Sequence, residues 1–352
     1  MHQIPRQRNE LIWNKGIAAL CDVRIPDEFP DGKTYSFVPS YARPRWFSGL
    51  PDNLISGPSA WAKIEEGNLV WVRLTWLKSF VRQVLPLVKA NFVLVTGDSS
   101  RCVPSQVRAE AHKLFECSKV IHWFTQDYDG SAPAKRISPI PLGIDFHSIS
   151  EKAYWGEEVS SPLEQERTLV SIGRNLPPLQ ARQKRVYADF GWRRGFGLYR
   201  RLRPLEGARL RENRRQLAKK LRSNDLVYFQ AGPLGRSEMW RRRGEYAFVL
   251  SPHGWGLDCH RTWEALALGH IVLVPSSSLD ELYSGLPVVP LRSWNEITPV
   301  NLESWMSMYP NGGADHEKLR NSYWLNEMRR RARELATVAP LPGNPSSLPP
   351  VR

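Results

Sequence analysis

The stretch from Glu245 to Val274 constrains the fold more than any other part of the sequence. Tyr246-Ala-Phe-Val-Leu250 is an unbroken apolar run of strand length, the pattern of a strand buried on both faces. It empties into Ser251-Pro-His-Gly-Trp-Gly-Leu-Asp258, a loop with glycines at 254 and 256. Cys259 to Leu268 then carries apolar residues at helical spacing and stops at Gly269. Ile271-Val-Leu-Val274 follows as a second apolar strand. Strand, helix and strand in so short a run make the helix a crossover between parallel neighbours. The expected class is therefore α/β.

The same rhythm recurs along the chain. Phe92 to Thr96 predicts a buried strand running into Gly97-Asp98-Ser99-Ser100. Pro104 to Cys117 predicts a helix, Val120 to Phe124 a strand, and Lys135 to Pro141 an extended segment. Thr34 to Val38 also reads as a strand, and 70–89 has helical spacing. A second set follows the acidic, Ser/Pro-bearing segment 151–165, which reads as a linker. Leu169 to Gly173 is expected as a strand, 199–222 as a basic helical region, and Leu226 to Phe229 as a strand. Helices are expected around Arg241-Arg242-Arg243, near 302–308 and over 316–338. At 352 residues the chain exceeds one ordinary core. The reading is two Rossmann-like, doubly wound domains, 1–150 and 166–338, facing each other across a cleft. The tail 339–352 holds five prolines and is expected to be disordered. Ligands of such sheets bind beyond the carboxyl ends of the strands.

That placement picks out candidate residues. Gly254 and Gly256 let backbone approach a ligand, and the helix that follows offers unpaired N–H groups and a partial positive charge to an anion. Asp258 is placed to cap that helix. Arg261 and Thr262 in its first turn add a guanidinium and a hydroxyl for the same anion, and Glu264 lies near the same face. His253 belongs to the loop. In the first half Asp98 and Asp127 each follow a strand and are candidate general bases, with Asp145 or His147 a third choice. Each of these aspartates also suits a turn.

Composition narrows the partners. The 49 basic and 35 acidic residues leave a net charge of +14, most of it in 182–222, where 15 basic residues face three acids. Such a stretch attracts phosphates, whether of a nucleotide, a nucleic acid or an anionic membrane. The four cysteines are scattered and expected as free thiols. The eight histidines show no recognised ligand spacing, so no metal is expected. No window reaches the ~20 apolar residues of a membrane span, and the first residues lack a secretory apolar run. The chain is expected to be cytoplasmic, with peripheral membrane contact as an option.

The run from Glu245 to Ile297 resembles the donor-binding half of GT-B glycosyltransferases, and within them the exostosin-like group. There a strand, a Pro-x-Gly loop, an Arg-x-x-Glu-Ala-Leu helix and a further strand follow in this order. The matching residues are Pro252 to Gly254, Arg261 to Leu266 and Ile271 to Val274, and the likeness continues through Leu279-Asp280-Glu281-Leu282 and Trp294 to Ile297. The resemblance implies a GT-B-like fold and a hexosyl or pentosyl transferase. Such an enzyme moves a sugar from a nucleotide-sugar donor to a carbohydrate or glycoconjugate hydroxyl, with inversion and without metal or other cofactor. It implies that Glu264 holds ribose or sugar hydroxyls, that Arg261, Thr262 and the His253-Gly254 loop lie at the diphosphate, and that Arg174 and Arg182 supply cations. The alternative is a nucleic-acid-binding or nucleic-acid-modifying protein using 182–222, although no zinc finger, helix-turn-helix or aromatic-basic RNA motif is present. A dinucleotide-dependent oxidoreductase is disfavoured, because no strand leads into Gly-x-Gly-x-x-Gly with an acid ~20 residues on.

Overall fold

The computed structural model describes residues 9–25, 64–132, 135–151, 153–191, 214–254 and 256–337. The strand expected at 34–38, most of the basic stretch 199–213 and the proline-bearing tail lie outside the described residues.

Among the described residues two five-stranded sheets, parallel throughout, make the frame, as the apolar runs require. The first is built in chain order from β1 (Val23–Ile25), β2 (Asn68–Arg73), β3 (Phe92–Gly97), β4 (Val120–Thr125) and β5 (Ile137–Pro139). All six residues of β3 are buried, as expected of a central strand covered on both faces. The second sheet has the order β10 (Val288–Leu291), β9 (Ile271–Pro275), β8 (Tyr246–Leu250), β6 (Gln183–Ala188), β7 (Val227–Phe229). The chain moves from β6 outward to β7, then returns to the other side of β6 as β8. The winding direction therefore reverses between β6 and β8, and crevices at such reversals receive ligands.

The helices are α1 (Asn14–Leu20), α2 (Arg108–Glu116), α3 (Ser148–Glu151), α4 (Pro162–Arg174), α5 (Arg214–Leu221), α6 (Arg236–Arg243), α7 (His260–Ala267), α8 (Pro299–Met308) and α9 (Asn321–Thr337). Alternation along the second sheet divides its side chains between two cores. Val249, Val272 and Val274 join a core continuous with β2, β3 and β4 of the first sheet. Phe248, Leu250, Ile271 and Leu273 join a separate core under α5 and α8. The last helix leaves the second half: α9 packs on β3, β4 and α1. The range 166–338 thus contributes its final helix to the first sheet.

Three local expectations change. Residues 169–173 are not a strand but the last turns of α4. Ser161 accepts from the Glu164 N–H, the Glu164 carboxylate accepts from the Ser161 N–H, and Pro162 fills the first turn, so helix nucleation outweighs the short apolar run. The first strand of the second sheet is instead β6, whose Gln-Lys-Arg opening hides it; only Val186 to Ala188 are buried. Helix also begins later than the spacing in 70–89 predicts: Asn68–Arg73 is strand β2, and helical structure runs over 74–87.

Candidate active-site cleft

The loops at the carboxyl ends of the two sheets meet and bond to one another. Asp258, at the end of the glycine loop, donates its backbone N–H to Asp127 Oδ1 at 2.8 Å, and its Oδ2 accepts from the Leu142 N–H at 2.8 Å. His260 Nδ1 lies 2.6 Å from the Gly143 carbonyl, and Ser278 Oγ donates to the Tyr128 carbonyl at 2.7 Å. Gly256 has to be glycine here, because a Cβ on it would collide with the Asp127 carboxylate. Gly143 has φ 72°, and its Cβ would meet the Trp13 backbone at 2.6 Å.

Asp258 organises this junction rather than capping the helix. The N-cap of α7 is Cys259. The Asp258 carboxylate accepts from the N–H of Cys259 at 2.7 Å, the indole of Trp263 at 2.8 Å and the hydroxyl of Tyr283 at 3.0 Å, besides Leu142. Burial pushes its carboxyl up despite these donors, and the Tyr283 hydroxyl is raised by burial and by the neighbouring Asp258.

On the second sheet's side the expected donor residues divide. His253 Nδ1 closes the loop on the Leu257 carbonyl at 2.8 Å, and its own carbonyl accepts from Arg214 Nε at 2.8 Å. Arg214, the first residue of α5, also reaches the Pro252 carbonyl and passes close to Gly254. Among the described residues it brings the basic stretch to the loop. Arg261 is paired through Nε with Asp189, directly beyond β6, while Nη1 lies 3.5 Å from Cys259 Sγ. Its Nη2 has no hydrogen-bond partner among the described residues, and the side chain is 15% exposed. Asp189 is also paired with Arg243 at 2.6 Å. Burial alone would raise the Asp189 carboxyl, but the Arg243 and Arg261 guanidiniums bring it down to about 2.

Several expected ligand residues point elsewhere. The Thr262 hydroxyl is buried against Ser251 Oγ at 2.9 Å, tying α7 to the end of β8. Glu264 faces α6 and not the cleft, accepting from Arg236 at 3.2 Å, the Trp240 indole at 3.3 Å and Arg243 at 3.5 Å. Arg182 lies at the amino end of β6, the opposite edge of the sheet. There it bonds the Pro177 and Leu268 carbonyls and His270 Nδ1 at 2.9–3.1 Å, and burial lowers it to about 10. Arg174 ends α4 at that same edge and is exposed. The expectation for Arg174 depends on a strand at 169–173, which is helix instead, while Arg182 immediately precedes β6. Lys184 is paired with Glu303 on the surface.

On the first sheet's side Asp98 and Asp127 both take left-handed backbone conformations, φ 59° and 52°, which aspartate tolerates in turns. Burial disfavours the Asp98 carboxylate, but Arg73 at 2.7 Å and Lys15 at 3.5 Å hold it well below the usual range, with Asn14 donating at 3.0 Å. Asp127 is almost fully buried beneath the glycine loop. Asp98 is thus paired with two cations, while Asp127 accepts from the Asp258 backbone N–H. The third choice lies where the two halves meet. Asp145 and His147, beyond β5, adjoin His260 at the start of α7, the two imidazole centroids being 5.5 Å apart. Burial would raise the Asp145 carboxyl, yet His147, His260 and Arg236 keep it well below its usual value.

Nothing in the sequence marks Asp189, Arg236, Lys15 or Arg73, since each gains its place from tertiary contacts, and spacing alone gives His260 no role. The strand-end signal misses Arg73, because the spacing in 70–89 predicts helix where the structure has the end of β2.

No protein-family model matches the chain, and no curated protein matches it. Among solved structures, a trehalose-phosphate synthase from Burkholderia vietnamiensis is 13% identical, with 83% of this chain and 77% of that one covered, at a TM-score of 0.36. The corresponding enzyme from Burkholderia multivorans is 14% identical over 79% and 72%, at 0.37. A sucrose-phosphate synthase from Thermosynechococcus elongatus is 13% identical over 76% and 69%, at 0.32. Likeness of this depth assigns neither a family nor an activity. Among the described residues no helix is long and apolar enough to cross a membrane.

Proposed function

We propose that the protein is a nucleotide-sugar-dependent glycosyltransferase of the GT-B kind, with its donor on the second sheet and its acceptor on the first. The observation that carries this reading is the position of the glycine loop. It leaves β8 at the reversal of the second sheet, leads into the N-terminus of α7, and faces the loops of the first sheet across their carboxyl ends. A helix N-terminus behind a glycine loop suits a diphosphate, and its dipole favours the charge that develops on a departing nucleoside diphosphate. Arg261 is held at that turn by Asp189 with one amino group left for an oxygen of the leaving group. The resemblance of 245–297 to the exostosin-like group adds to the reading. Glu264 enters it as a positioning residue that holds α6 against α7, not as a hydroxyl ligand.

The test is thermal unfolding of the full chain with UDP, GDP, CDP, ADP, NAD and a short oligonucleotide. A ligand at 100 times its dissociation constant adds about 2.7 kcal/mol. A rise of several degrees with one nucleoside diphosphate, abolished in Arg261→Ala but kept in Arg174→Ala, is the expected result. A rise with the oligonucleotide alone would transfer the function to the basic stretch. A rise with none of the diphosphates would remove the donor site.

A further inference from the structure

The expectation that the chain holds no metal rested on histidine spacing in the sequence, and folding supplies what the spacing lacks. Asp145, His147 and His260 each bring one potential ligand atom to a common place, all within 4.8 Å of one another. His147 Nδ1 is 2.9 Å from Asp145 Oδ1, and the nitrogen atom is buried. Two potential ligand atoms at this separation can share one cation. Cis ligands about 2.1 Å from one cation stand about 3 Å apart.

The remaining contacts prepare the same site. The Gly143 carbonyl can only accept, so His260 Nδ1 carries the proton and Nε2 of the neutral ring presents a lone pair. A backbone carbonyl in that position fixes the tautomer of a metal-bound imidazole. Asp145 is oriented by the Ser148 N–H at 3.0 Å and the Ser148 hydroxyl at 2.8 Å. The His147 side chain is 22% exposed, so the group is reachable from solvent.

We infer that Asp145, His147 and His260 form a binding site for a divalent first-row transition ion, taking two ligands from the loop region after β5 and one from the first turn of α7. Two imidazoles and one carboxylate suit Zn2+ or Mn2+ better than Mg2+ or Ca2+, which prefer all-oxygen sites. A bound ion would fasten the two halves at the mouth of the cleft. The inference is independent of the donor reading, because it is tested with the metal alone.

The full chain is stripped with EDTA, dialysed against Zn2+ or Mn2+, and the bound metal counted by elemental analysis. One equivalent is expected, lost in His260→Ala and in His147→Gln and kept in His112→Ala, whose histidine is exposed and paired with Glu116. Circular dichroism and unfolding midpoints of each variant distinguish ligand loss from misfolding. Substitution with Co2+ provides a second readout, a visible absorption band that each ligand variant should weaken or shift. Absence of stoichiometric metal in the folded wild-type chain would overturn the site. So would an equivalent that survives in the folded His147→Gln, His260→Ala double variant.

Discussion

Charge pairing beneath the glycine loop explains residues that no motif marks. Asp189 joins Arg261 and Arg243, Arg243 reaches Glu264, and Glu264 reaches Arg236, so three guanidiniums and two carboxylates connect β6, α6 and α7. Removing one member leaves its partners buried and unpaired, which is costlier than the pair's net worth. For Asp189 the pH dependence has a definite sign. Its carboxyl falls from an ordinary 3.8 to about 2 in the folded protein. Its stabilising contribution is therefore complete above the unfolded value and is lost as pH falls from about 4 toward 2. The contribution near neutral pH is about 2 kcal/mol. Urea unfolding of wild type and Asp189→Asn should show a stability gap at pH 6 that shrinks by about 1 kcal/mol at pH 3. A gap independent of pH would mean that the two arginines do not hold this carboxylate.

Among the elements, α4 shows how end signals compete with short apolar runs. Leu169-Val-Ser-Ile172 has strand composition, yet Leu169 and Ile172 lie three apart on the buried face of a 13-residue helix. The signal that decides is Ser161-Pro-x-Glu164, a reciprocal cap with proline in the first turn. Ser161→Ala should therefore destabilise the protein by about 1 kcal/mol. This would be seen as a lower urea midpoint with an unchanged m-value. An unchanged midpoint would show that packing against α6 and α7 holds the helix without its cap. Strand β6 illustrates the converse: its first three residues are hydrophilic, and only pairing with β8 at Gln183 brings them into the sheet.

Across the whole molecule, the two sheets behave as one body where Asp127 and Asp258 meet. Gly256 has no left-handed requirement, so replacing it by alanine would ordinarily stabilise by about 0.4–1 kcal/mol through the unfolded chain. Here the added methyl would strike the Asp127 carboxylate that holds the Asp258 N–H. Gly256→Ala should lower stability by about 1–3 kcal/mol, measured as a fall in the unfolding midpoint. A rise would show that the halves are not packed as described. The return of α9 to the first sheet has a similar consequence for boundaries: the contiguous range 166–338 is not a self-contained second domain, because its last helix covers β3 and β4.

The sequence by itself determined the fold class and the order of most elements, because burial on two faces writes unbroken apolar runs such as Phe92 to Thr96, Tyr246 to Leu250 and Ile271 to Val274. It also located the glycine loop, since close approach of backbone demands a residue without Cβ. Only the tertiary structure decided what the charged residues do. Glu264 and Thr262 turn away from the cleft, Arg182 and Arg174 lie at the far edge of the sheet, and Asp98 is neutralised by Arg73 and Lys15. Asp145 and His147 meet His260 across more than a hundred residues of chain. A side chain's partner depends on which strands become neighbours and which loops face each other. Local pattern carries no record of either.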